Sequence, residues 1–300
     1  MPTSNYLDLY QSGKLAKRVE KAYEILQDCT LCPHHCHVNR SNDELGYCQT
    51  GSEIKVASYG PHFGEEEPLV GSNGSGTIFF SSCNLRCVYC QNYDISQHQS
   101  GDAVTVEELA EIMISLQKRG CHNINFVTPS HMIHALLAAT LEACKKGLEI
   151  PLVYNSGGYD DKEALGLLDG IIDIYMPDVK YIDENTALKY SKIPDYPPIV
   201  KTALKEMHQQ VGDLKIKDNV AVQGLLIRHL ILPNNLAGTK EIIDFIADEL
   251  STDTYINIMD QYYPAYKAAD YKVLNRRTNT SEFEEAVEIA QNKGLSRRYL

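Results

Sequence analysis

The 300-residue chain has no apolar run that approaches the ~20 residues needed to cross a lipid bilayer. Its longest apolar stretches, residues 136–144 and 220–232, are short or are interrupted by polar side chains. The opening residues, MPTSNYLDLYQSGK, are polar and lack the apolar core of a signal peptide. We therefore expect a cytoplasmic protein without a membrane partner.

The chain also lacks an excess of positive charge. Its 28 Lys and Arg residues face 40 Asp and Glu residues, which gives a net charge of −12 and a pI near 5.3. A surface of this kind repels the phosphate backbone, so we expect no nucleic-acid partner. The chain does have enough apolar residues for a large core, because 43% of its residues are hydrophobic. Its length allows one large domain with a small additional lobe.

The chain also lacks the even number of cysteines that is typical of disulfide-stabilised secreted domains. The nine cysteines are odd in number and clustered, and without a secretion signal this pattern indicates thiolates that bind metal. Cys121 and Cys144 stand apart, and we expect them to be buried as small apolar side chains. The other seven form two clusters, at residues 29–48 and 83–90.

From residue 76 onward, apolar runs typical of strands alternate with amphipathic runs typical of helices. Strands are predicted at residues 77–81, 124–128, 151–155, 171–177, 224–232 and 255–260. Helices are predicted near residues 105–119, 131–147, 160–169, 184–191 with 198–212, 239–250 and 281–293. Six such units predict an α/β fold with parallel strands, and they fit a partial (β/α)6 barrel better than a closed barrel of eight units. A doubly wound sheet is also compatible with the pattern.

Two capping boxes mark predicted helix starts. Thr105 is followed three residues later by Glu108, and Ser281 by Glu284. In this arrangement the first side chain accepts a hydrogen bond from the helix backbone, and the Glu side chain accepts one from the backbone of the capping residue. We therefore predict that helices begin just after Thr105 and just after Ser281.

The segment before the barrel has a different character. Residues 14–27 have helical periodicity, a cysteine-rich stretch follows, and residues 53–60 have the pattern of a strand. We therefore predict that residues 1–75 form an N-terminal helix and a four-cysteine metal-binding lobe. Residues 76–300 are predicted to form the partial barrel.

The motif Cys83-x3-Cys87-x2-Cys90 directly follows the first predicted barrel strand. Three thiolates can bind three irons of a cubane iron–sulfur cluster and leave the fourth iron open to a small molecule. A catalytic centre needs such an open position, whereas a structural site is closed by its ligands. The alternative is a zinc site with these three ligands and a distant fourth.

This motif, with the aromatic Tyr89 before the last cysteine, resembles the signature of the radical S-adenosylmethionine (SAM) enzymes. The surrounding stretch GSGTIFFSSCNLRCVYCQN is similar to that of enzymes that activate glycyl-radical enzymes, such as the pyruvate formate-lyase activating enzyme, and more similar to their PflX-like homologues. The resemblance extends over residues 29–265 and includes NFVTPSH, VYNSGGY, IYMPDVKY, IRHLILP and MDQYYP.

The resemblance implies a radical SAM barrel and a radical reaction. A [4Fe-4S] cluster on Cys83, Cys87 and Cys90 would bind SAM and receive an electron from a reductant such as flavodoxin or ferredoxin. Cleavage of SAM would give a 5′-deoxyadenosyl radical that abstracts hydrogen from a substrate. A glycyl residue of a partner enzyme is one candidate substrate, and a peptide side chain or a small metabolite is the alternative. A non-catalytic iron–sulfur or metal-binding electron-transfer protein is the third alternative.

The resemblance also suggests roles for side chains at the strand ends, where ligands of parallel sheets bind. Tyr89 would lie beside the adenine. Many family members carry Gly-Gly-Glu after the second strand, whereas this chain has Thr-Pro-Ser-His, so Ser130 or backbone carbonyls would contact the methionine amino group. The alternative is a proline turn in which Ser130 caps the next helix. Asn155 and Ser156 would contact the ribose or the carboxylate, or they form an ordinary turn.

Further candidates follow the fourth strand and lie within the fifth. Met176, Asp178 and Lys180 match a Met-x-Asp-x-Lys stretch of the activating enzymes, in which the Met carbonyl and the Asp help to hold a monovalent cation and the Lys lies near the substrate. The alternative is a structural Asp–Lys pair. Arg228 and His229 interrupt the apolar run LLIRHLIL, and a charge there is costly to bury unless it is paired. We expect one of them to contact the cofactor, with a core histidine as the alternative for His229.

Two weaker signals complete the barrel. The acidic run at residues 65–67 precedes a proline, and because runs of charge usually form solvated faces, we expect it to be exposed. The run lies on the loop before the first predicted barrel strand, so binding of substrate or of a cation is the alternative role. Gln261, after the sixth strand, is a candidate for the substrate side.

The four N-terminal cysteines have the spacing Cys29-x2-Cys32-x3-Cys36-x11-Cys48. Four thiolates are enough for a closed tetrahedral site. Zinc, a single iron or an auxiliary iron–sulfur cluster would suit these ligands, and unliganded cysteines are the remaining alternative. We therefore predict a second metal site in the N-terminal lobe.

Overall fold

A computed structural model describes residues 5–295 of the chain. Its strands are β1 Ile54–His62, β2 Ser75–Phe80, β3 Asp102–Val104, β4 Ile124–Val127, β5 Leu152–Ser156, β6 Ile174–Pro177, β7 Lys215–Lys217, β8 Val220–Leu230 and β9 Tyr255–Met259. Its α-helices are α1 Tyr6–Gln11, α2 Lys14–Ile25, α3 Glu67–Val70, α4 Tyr93–Ser96, α5 Val106–Lys118, α6 Ile133–Lys145, α7 Lys162–Gly166, α8 Glu184–Ser191, α9 Tyr196–Val211, α10 Thr239–Glu249 and α11 Thr280–Asn292. Short 3-10 turns lie at residues 26–28, 40–42, 233–235 and 268–270.

Six parallel strands form the centre of the sheet, in the order β2, β4, β5, β6, β8 and β9. Helices connect them, as the alternating pattern predicts. The strands follow one another in a single direction around the sheet, whereas a doubly wound sheet reverses its order at a switch point. The prediction of a partial (β/α)6 barrel is therefore confirmed. Three further strands are antiparallel additions: β1 pairs with β2, β3 with β1, and β7 with β8.

The two predicted capping boxes have different outcomes. The Thr105 side chain accepts from the Glu108 N–H, and the reciprocal bond is present, so the start of α5 is confirmed. The box at Ser281 is wrong, because α11 begins after Asn279, whose side chain accepts from the Glu282 N–H. Ser281 instead donates its hydroxyl to the Asn279 side chain at 2.7 Å. Asn is as good a cap as Ser, and the earlier residue satisfies the free N–H groups of the first turn.

The N-terminal part is joined closely to the barrel. α2 packs against α6, and the Tyr6 hydroxyl donates to the Ile150 carbonyl at 2.9 Å. Residues 29–53, with the four cysteines, contain only one short 3-10 turn. β1 then extends the same sheet as the barrel strands.

The barrel interior is layered because alternate residues of each strand face inward. β1 ends opposite Ser75, the first residue of β2, so the chain that follows β1 begins at the amino end of the barrel. There, Leu69 of α3 joins the apolar side chains Val153, Ile174, Met176, Leu226 and Tyr255. The same alternation, two residues further along β5, β8 and β9, leads to Asn155, Arg228 and Asn257.

Candidate active site

A cavity of about 240 Å³ opens at the carboxyl ends of the parallel strands. This is where ligands of α/β barrels bind. It is lined by ten of the side chains singled out from the sequence: Cys83, Cys87, Tyr89, Cys90, Asn155, Ser156, Asp178, Lys180, Arg228 and Gln261. The strand-end residues and the three-cysteine loop, far apart in the sequence, therefore share one space.

The three-cysteine loop connects β2 to α4 and presents its thiols to the cavity. Each sulfur lies against a polar neighbour: Cys83 accepts from the Leu85 N–H at 3.3 Å, Cys87 lies 2.9 Å from the Ser191 hydroxyl, and Cys90 lies 3.1 Å from the Ser96 hydroxyl. Hydrogen bonds of this kind stabilise a thiolate. Across residues 5–295, no three Cys, His, Asp or Glu side chains converge on one ion position. The thiolates of a cubane cluster bind three different irons.

Burial and mutual proximity make these thiols poor acids on their own. Burial raises the pKa of Cys83 to about 12, with a smaller contribution from Cys87. Burial also raises the pKa of Cys87, and Lys180 is the strongest charge that opposes this. A coordinating thiol is deprotonated by its metal, which removes this penalty. Three thiols open to a cavity, with a cation beside them, are a donor set that fits an iron–sulfur cluster with one free position.

Tyr89 forms a rigid wall of the same cavity. Its ring is buried between those of Tyr181 and Tyr262, at centroid distances of 6.3 and 5.8 Å and interplanar angles of 82° and 68°. Edge-to-face contacts of this kind hold aromatic rings in one orientation.

An ion-pair network follows the ends of β6 and β8. Asp178 accepts from the Lys180 ammonium at 2.8 Å and from Arg228 Nε at 2.8 Å. Arg228 Nη2 donates to the Asn155 side chain at 2.7 Å. Burial alone would raise the pKa of Asp178, but Arg228 and Lys180 hold it below its usual value. In return, Asp178 is the largest of the charges that raise the pKa of Lys180 and of Arg228 against the effect of burial.

The acidic run is not the exposed face expected from the sequence. The Glu65 and Glu66 side chains are only 7% and 6% exposed, and their carboxylates lie 3.6 and 3.8 Å from Arg228 Nη1. Burial raises the pKa of Glu65, and Arg228 opposes this. The expectation of a solvated face was therefore wrong for these two residues and is correct for Glu67, which is exposed. The physical reason is Arg228, which gives the two buried carboxylates a cationic partner.

Three sequence candidates do not present their polar groups to the cavity. Ser130 is buried outside the lining, and Thr128 lines the cavity instead. His229 is fully buried and bonded to the Val179 carbonyl and the Thr239 hydroxyl, both at 2.9 Å, and burial lowers its pKa to about 4. It is thus a satisfied core histidine. Ser156 lines the cavity, but its hydroxyl donates to Asp160 at 2.6 Å.

Two glycines follow Ser156 where the chain passes closest to the cavity. A Cβ on Gly157 would lie 2.6 Å from the Leu85 side chain. Gly158 has φ +76°, and a Cβ there would lie 2.4 Å from the Asp178 carbonyl oxygen. Glycine is required at this turn both by the backbone conformation and by space.

The four N-terminal cysteines are close enough for their charges to interact, although in residues 5–295 no three of their thiols converge on one ion position. Burial raises the pKa of Cys32 first, and the neighbouring Cys48, Cys29 and Cys36 raise it further. Cys36 accepts from the Tyr47 N–H at 3.2 Å.

A buried arginine accompanies these cysteines. Arg40 is 1% exposed, and its guanidinium donates to the carbonyls of Gly51 and His131 at 2.8–3.1 Å, with the Cys29 sulfur at 3.9 Å. Among residues 5–295, Arg40 forms no ion pair with a carboxylate, although a buried cation normally has an anionic partner. Arg40 was not among the side chains assigned a role from the sequence.

The N-terminal lobe contacts the three-cysteine loop directly. The His34 ring stacks on Tyr47 at a centroid distance of 3.7 Å, and its Nε2 bonds to the Asn84 carbonyl at 2.9 Å. Arg86 donates to the Tyr47 carbonyl at 2.5 Å. The three-cysteine loop and the four-cysteine segment are therefore neighbours.

The fold and the cysteine loop define a class. The model of the Radical SAM superfamily matches residues 77–222, from β2 to the start of β8. The chain belongs to the radical SAM superfamily. In the part of the chain that the structure describes, no helix is both long and apolar enough to cross a membrane.

Two proteins are similar to this chain in sequence. A protein of Methanocaldococcus jannaschii, described only as uncharacterised, is 36% identical over 307 residues, which cover 98% of this chain and 83% of that protein. The pyruvate formate-lyase-activating enzyme of Clostridium pasteurianum is 26% identical over 193 residues, which cover 62% of this chain and 74% of that enzyme. This chain is thus a distant relative of that activating enzyme.

Solved structures share the fold at lower identity. HydG, a maturase of the [FeFe]-hydrogenase, has a TM-score of 0.51 and 14% identity, over 73% of this chain and 49% of its own. A radical SAM methyltransferase from Sphaerobacter thermophilus has a TM-score of 0.51 and 11% identity, over 75% of this chain and 65% of its own. The chain spans 49% and 65% of the length of these two proteins, and the likeness is one of fold.

Proposed function

We propose that the protein reductively cleaves SAM at a [4Fe-4S] cluster bound by Cys83, Cys87 and Cys90, and then abstracts hydrogen from a substrate. The observation that carries this proposal is the single cavity shared by the three thiols and the Asp178–Arg228 ion pair. When bound, the cluster supplies the electron that breaks a C–S bond of SAM. The protein's part is to bind and orient the ligand and to exclude water.

The cavity walls suit different parts of SAM. We assign the carboxylate to Arg228 N–H groups other than those bonded to Asp178 and Asn155, together with the Asn155 side-chain amide, because a hydrogen bond from a cationic donor is a strong one for a carboxylate. Tyr89 is assigned to the adenine, since its held ring is a flat apolar surface. Lys180 lies on the cluster side, where it opposes the raised pKa of Cys87. Contacts by Ser130 and His229 have less support, because their polar groups face the core.

A monovalent cation near Asp178 stays a prediction. Both Asp178 oxygens already accept from protein cations, Lys180 and Arg228. A bound K⁺ would have to share these oxygens with Lys180 and Arg228 and be coordinated in addition by backbone carbonyls such as that of Met176. Measurement of SAM affinity with and without added KCl, at constant ionic strength, tests it: a K⁺-independent affinity would exclude the cation.

Replacement of all three loop cysteines by Ala tests the main proposal. We expect no 5′-deoxyadenosine above background from the triple variant under anaerobic reducing conditions, together with loss of bound iron. Cys144→Ala is the matched control, because it removes a buried thiol from α6, away from the cavity. Retained 5′-deoxyadenosine formation in the triple variant would refute the proposal. A wild type that neither binds nor cleaves SAM would favour the non-catalytic electron-transfer alternative.

The substrate proposed first is a glycyl residue of a partner enzyme, with flavodoxin or ferredoxin as reductant. The relation to the Clostridium pasteurianum activating enzyme supports it. Modification of a peptide side chain or a small metabolite is the alternative. Deuterated candidate substrates distinguish them, because hydrogen abstraction transfers the label into 5′-deoxyadenosine. Transfer from a glycine α-position supports the first, and transfer from a side chain or metabolite alone supports the second.

We also propose that Cys29, Cys32, Cys36 and Cys48 bind a metal as thiolates. Arg40 supports this, because a metal with four thiolates has a net negative charge, which would compensate the buried guanidinium. We expect Arg40→Met to lower the metal content of the lobe, whereas Arg119→Met, at the surface end of α5, leaves it unchanged. Mössbauer spectra with metal analysis identify the metal. No metal beyond the cubane cluster would refute the site, and stoichiometric zinc would exclude a redox role.

A further inference from the structure

Glu65 and Glu66 are buried inside the barrel although they belong to a loop. The loop runs from β1 to α3, and Leu69 of α3 packs among the apolar side chains at the amino end of the barrel interior. A carboxylate is unfavourable in such a position unless charged or hydrogen-bonding partners compensate it. The partners of these two side chains therefore indicate what the loop is for.

Arg228 is the shared partner. Its Nη1 lies 3.6 Å from Glu65 and 3.8 Å from Glu66. Its other nitrogens are bound in the cavity wall, Nε to Asp178 and Nη2 to Asn155. All three guanidinium nitrogens therefore have an acceptor or an anion beside them, so the group is fixed in its plane.

Glu66 is held independently of Arg228. Asn257 of β9 donates to Glu66 Oε1 at 3.0 Å. The other oxygen, Oε2, is buried and accepts no hydrogen bond from any residue in the range 5–295. Glu66 Oε2 therefore faces the Arg228 guanidinium, 3.8 Å away.

The charges around the floor of the cavity do not balance. Three carboxylates, Glu65, Glu66 and Asp178, face two cations, Lys180 and Arg228. His62 lies 3.5 Å from Glu65 and is about half exposed, and it adds a charge only when protonated. With all three carboxylates ionised, one positive charge is lacking among the described residues around them. Free SAM carries a sulfonium and an ammonium group against one carboxylate, which is a net charge of one positive unit.

We propose that Glu65 and Glu66, which lie behind Arg228 and outside the lining of the cofactor cavity, form an acidic floor beneath it that positions Arg228 and favours a sulfonium ligand over its neutral thioether. They are positioning residues, because they act on the ligand through Arg228 and through the field in the cavity. This inference rests on the proposed function, since it takes SAM to be the ligand of the cavity.

Charge-neutral variants with a matched control test the proposal. The variants are Glu66→Gln and Glu65→Gln, and Glu67→Gln is the control because it neutralises the exposed neighbour. The measurement is anaerobic equilibrium binding of SAM and of S-adenosylhomocysteine, which lacks the sulfonium charge, to cluster-loaded protein of known iron content. We expect Glu66→Gln to weaken SAM binding about tenfold, S-adenosylhomocysteine at most threefold, and Glu67→Gln neither.

The comparison of the two ligands separates positioning from general damage. A purely structural role would weaken both ligands equally, and that result would overturn the proposal. Should Glu66→Gln fail to retain its cluster, Glu65→Gln decides, because the Asn257–Glu66 bond stays intact in it. It is expected to shift the same ratio of affinities in the same direction, and an unchanged ratio would overturn the proposal.

Arg228→Met distinguishes the failure of this inference from the failure of the proposed function. If the wild type does not bind SAM, the proposed function itself fails. If Arg228→Met loses SAM affinity while Glu66→Gln and Glu65→Gln behave like Glu67→Gln, the function stands and the acidic floor is refuted. If Arg228→Met binds SAM like the wild type, the positioning role is refuted directly.

Discussion

Asp178→Asn is expected to destabilise the fold by removing the charge shared by Lys180 and Arg228. Both cations lie 2.8 Å from the carboxylate, and the three side chains are 16–20% exposed. Loss of one partner from a buried ion pair costs about 3–5 kcal/mol. The lower end, about 3 kcal/mol, applies because part of each group is in contact with solvent and Arg228 keeps Glu65 and Glu66 as neighbours.

Thermal unfolding of the cluster-free protein, followed by circular dichroism, measures this loss. A change of about 3 kcal/mol corresponds to a fall in Tm of roughly 5–10 °C for a chain of this size. Asp260→Asn is the control, because Asp260 is exposed and its side chain forms no ion pair among residues 5–295. A Tm within about 1 °C of the wild type would refute the view that Asp178 holds the two cations.

The pH dependence gives a second reading of the same variant. Arg228 and Lys180 hold the pKa of Asp178 below 3.8, in spite of burial, so the carboxylate stabilises the native state at pH values above 3.8. This contribution is lost as the pH falls through the lower pKa of the folded state. The difference between wild type and Asp178→Asn is therefore expected to be constant near neutral pH and to shrink below pH 3.8.

Two further predictions concern other parts of the barrel. Gly158 has φ +76°, and a Cβ there would lie 2.4 Å from a carbonyl oxygen, so Gly158→Ala is expected to lower the free energy of unfolding by about 3 kcal/mol in urea titrations. Gly166→Ala is the control, because a Cβ there meets no atom within 4 Å, and it is expected to cause no such loss. Equal effects of the two substitutions would contradict the steric argument. Glu282→Gln is expected to cost about 1 kcal/mol, because Glu282 accepts from the Asn279 backbone and pairs with Arg276. The hydrogen bond with Arg276 lowers the pKa of Glu282 to about 2, so the loss should be full above pH 4.5 and should vanish near pH 2; a loss that persists there would refute it.

The barrel could be predicted because its strands are buried on both faces. Strands of this kind appear in the sequence as short apolar runs between helices, and each predicted run contains or overlaps a strand of the observed sheet. The burial of Glu65 and Glu66 could not be predicted in this way. Their partner Arg228 lies in β8, and a local run of acidic residues is identical in sequence whether it faces water or a buried cation.

The candidate site was predictable where the strand alternation extends to the strand end. Arg228 and His229 are consecutive, so they face opposite sides of β8, and only Arg228 lines the cavity. Nothing in the apolar run itself determined which of the two would do so. Ser130 lies outside the cavity because Thr128 has φ +59°. That turn changes the direction of the chain just after β4, and a change of this kind is not visible in residue types alone.

The contact between the two cysteine sites determines what the N-terminal lobe can contribute. His34 and Tyr47 reach the cluster loop at the backbone of Asn84 and through the side chain of Arg86. We therefore expect a Cys29→Ser and Cys32→Ser double variant to lose iron from the three-cysteine loop as well as the metal proposed for the lobe. Iron content and dithionite-driven SAM cleavage measure this.

Dithionite separates a mechanical role of the lobe from an electron relay, because it reduces the cluster without the lobe. A relay predicts that the double variant fails with flavodoxin yet cleaves SAM normally with dithionite. A lobe that orders the loop predicts failure with both. The hydrogen bonds of His34 and Arg86 between the lobe and the three-cysteine loop do not depend on which metal the lobe binds. We therefore expect the double variant to fail with both reductants. Normal iron content and normal cleavage with dithionite would refute this expectation.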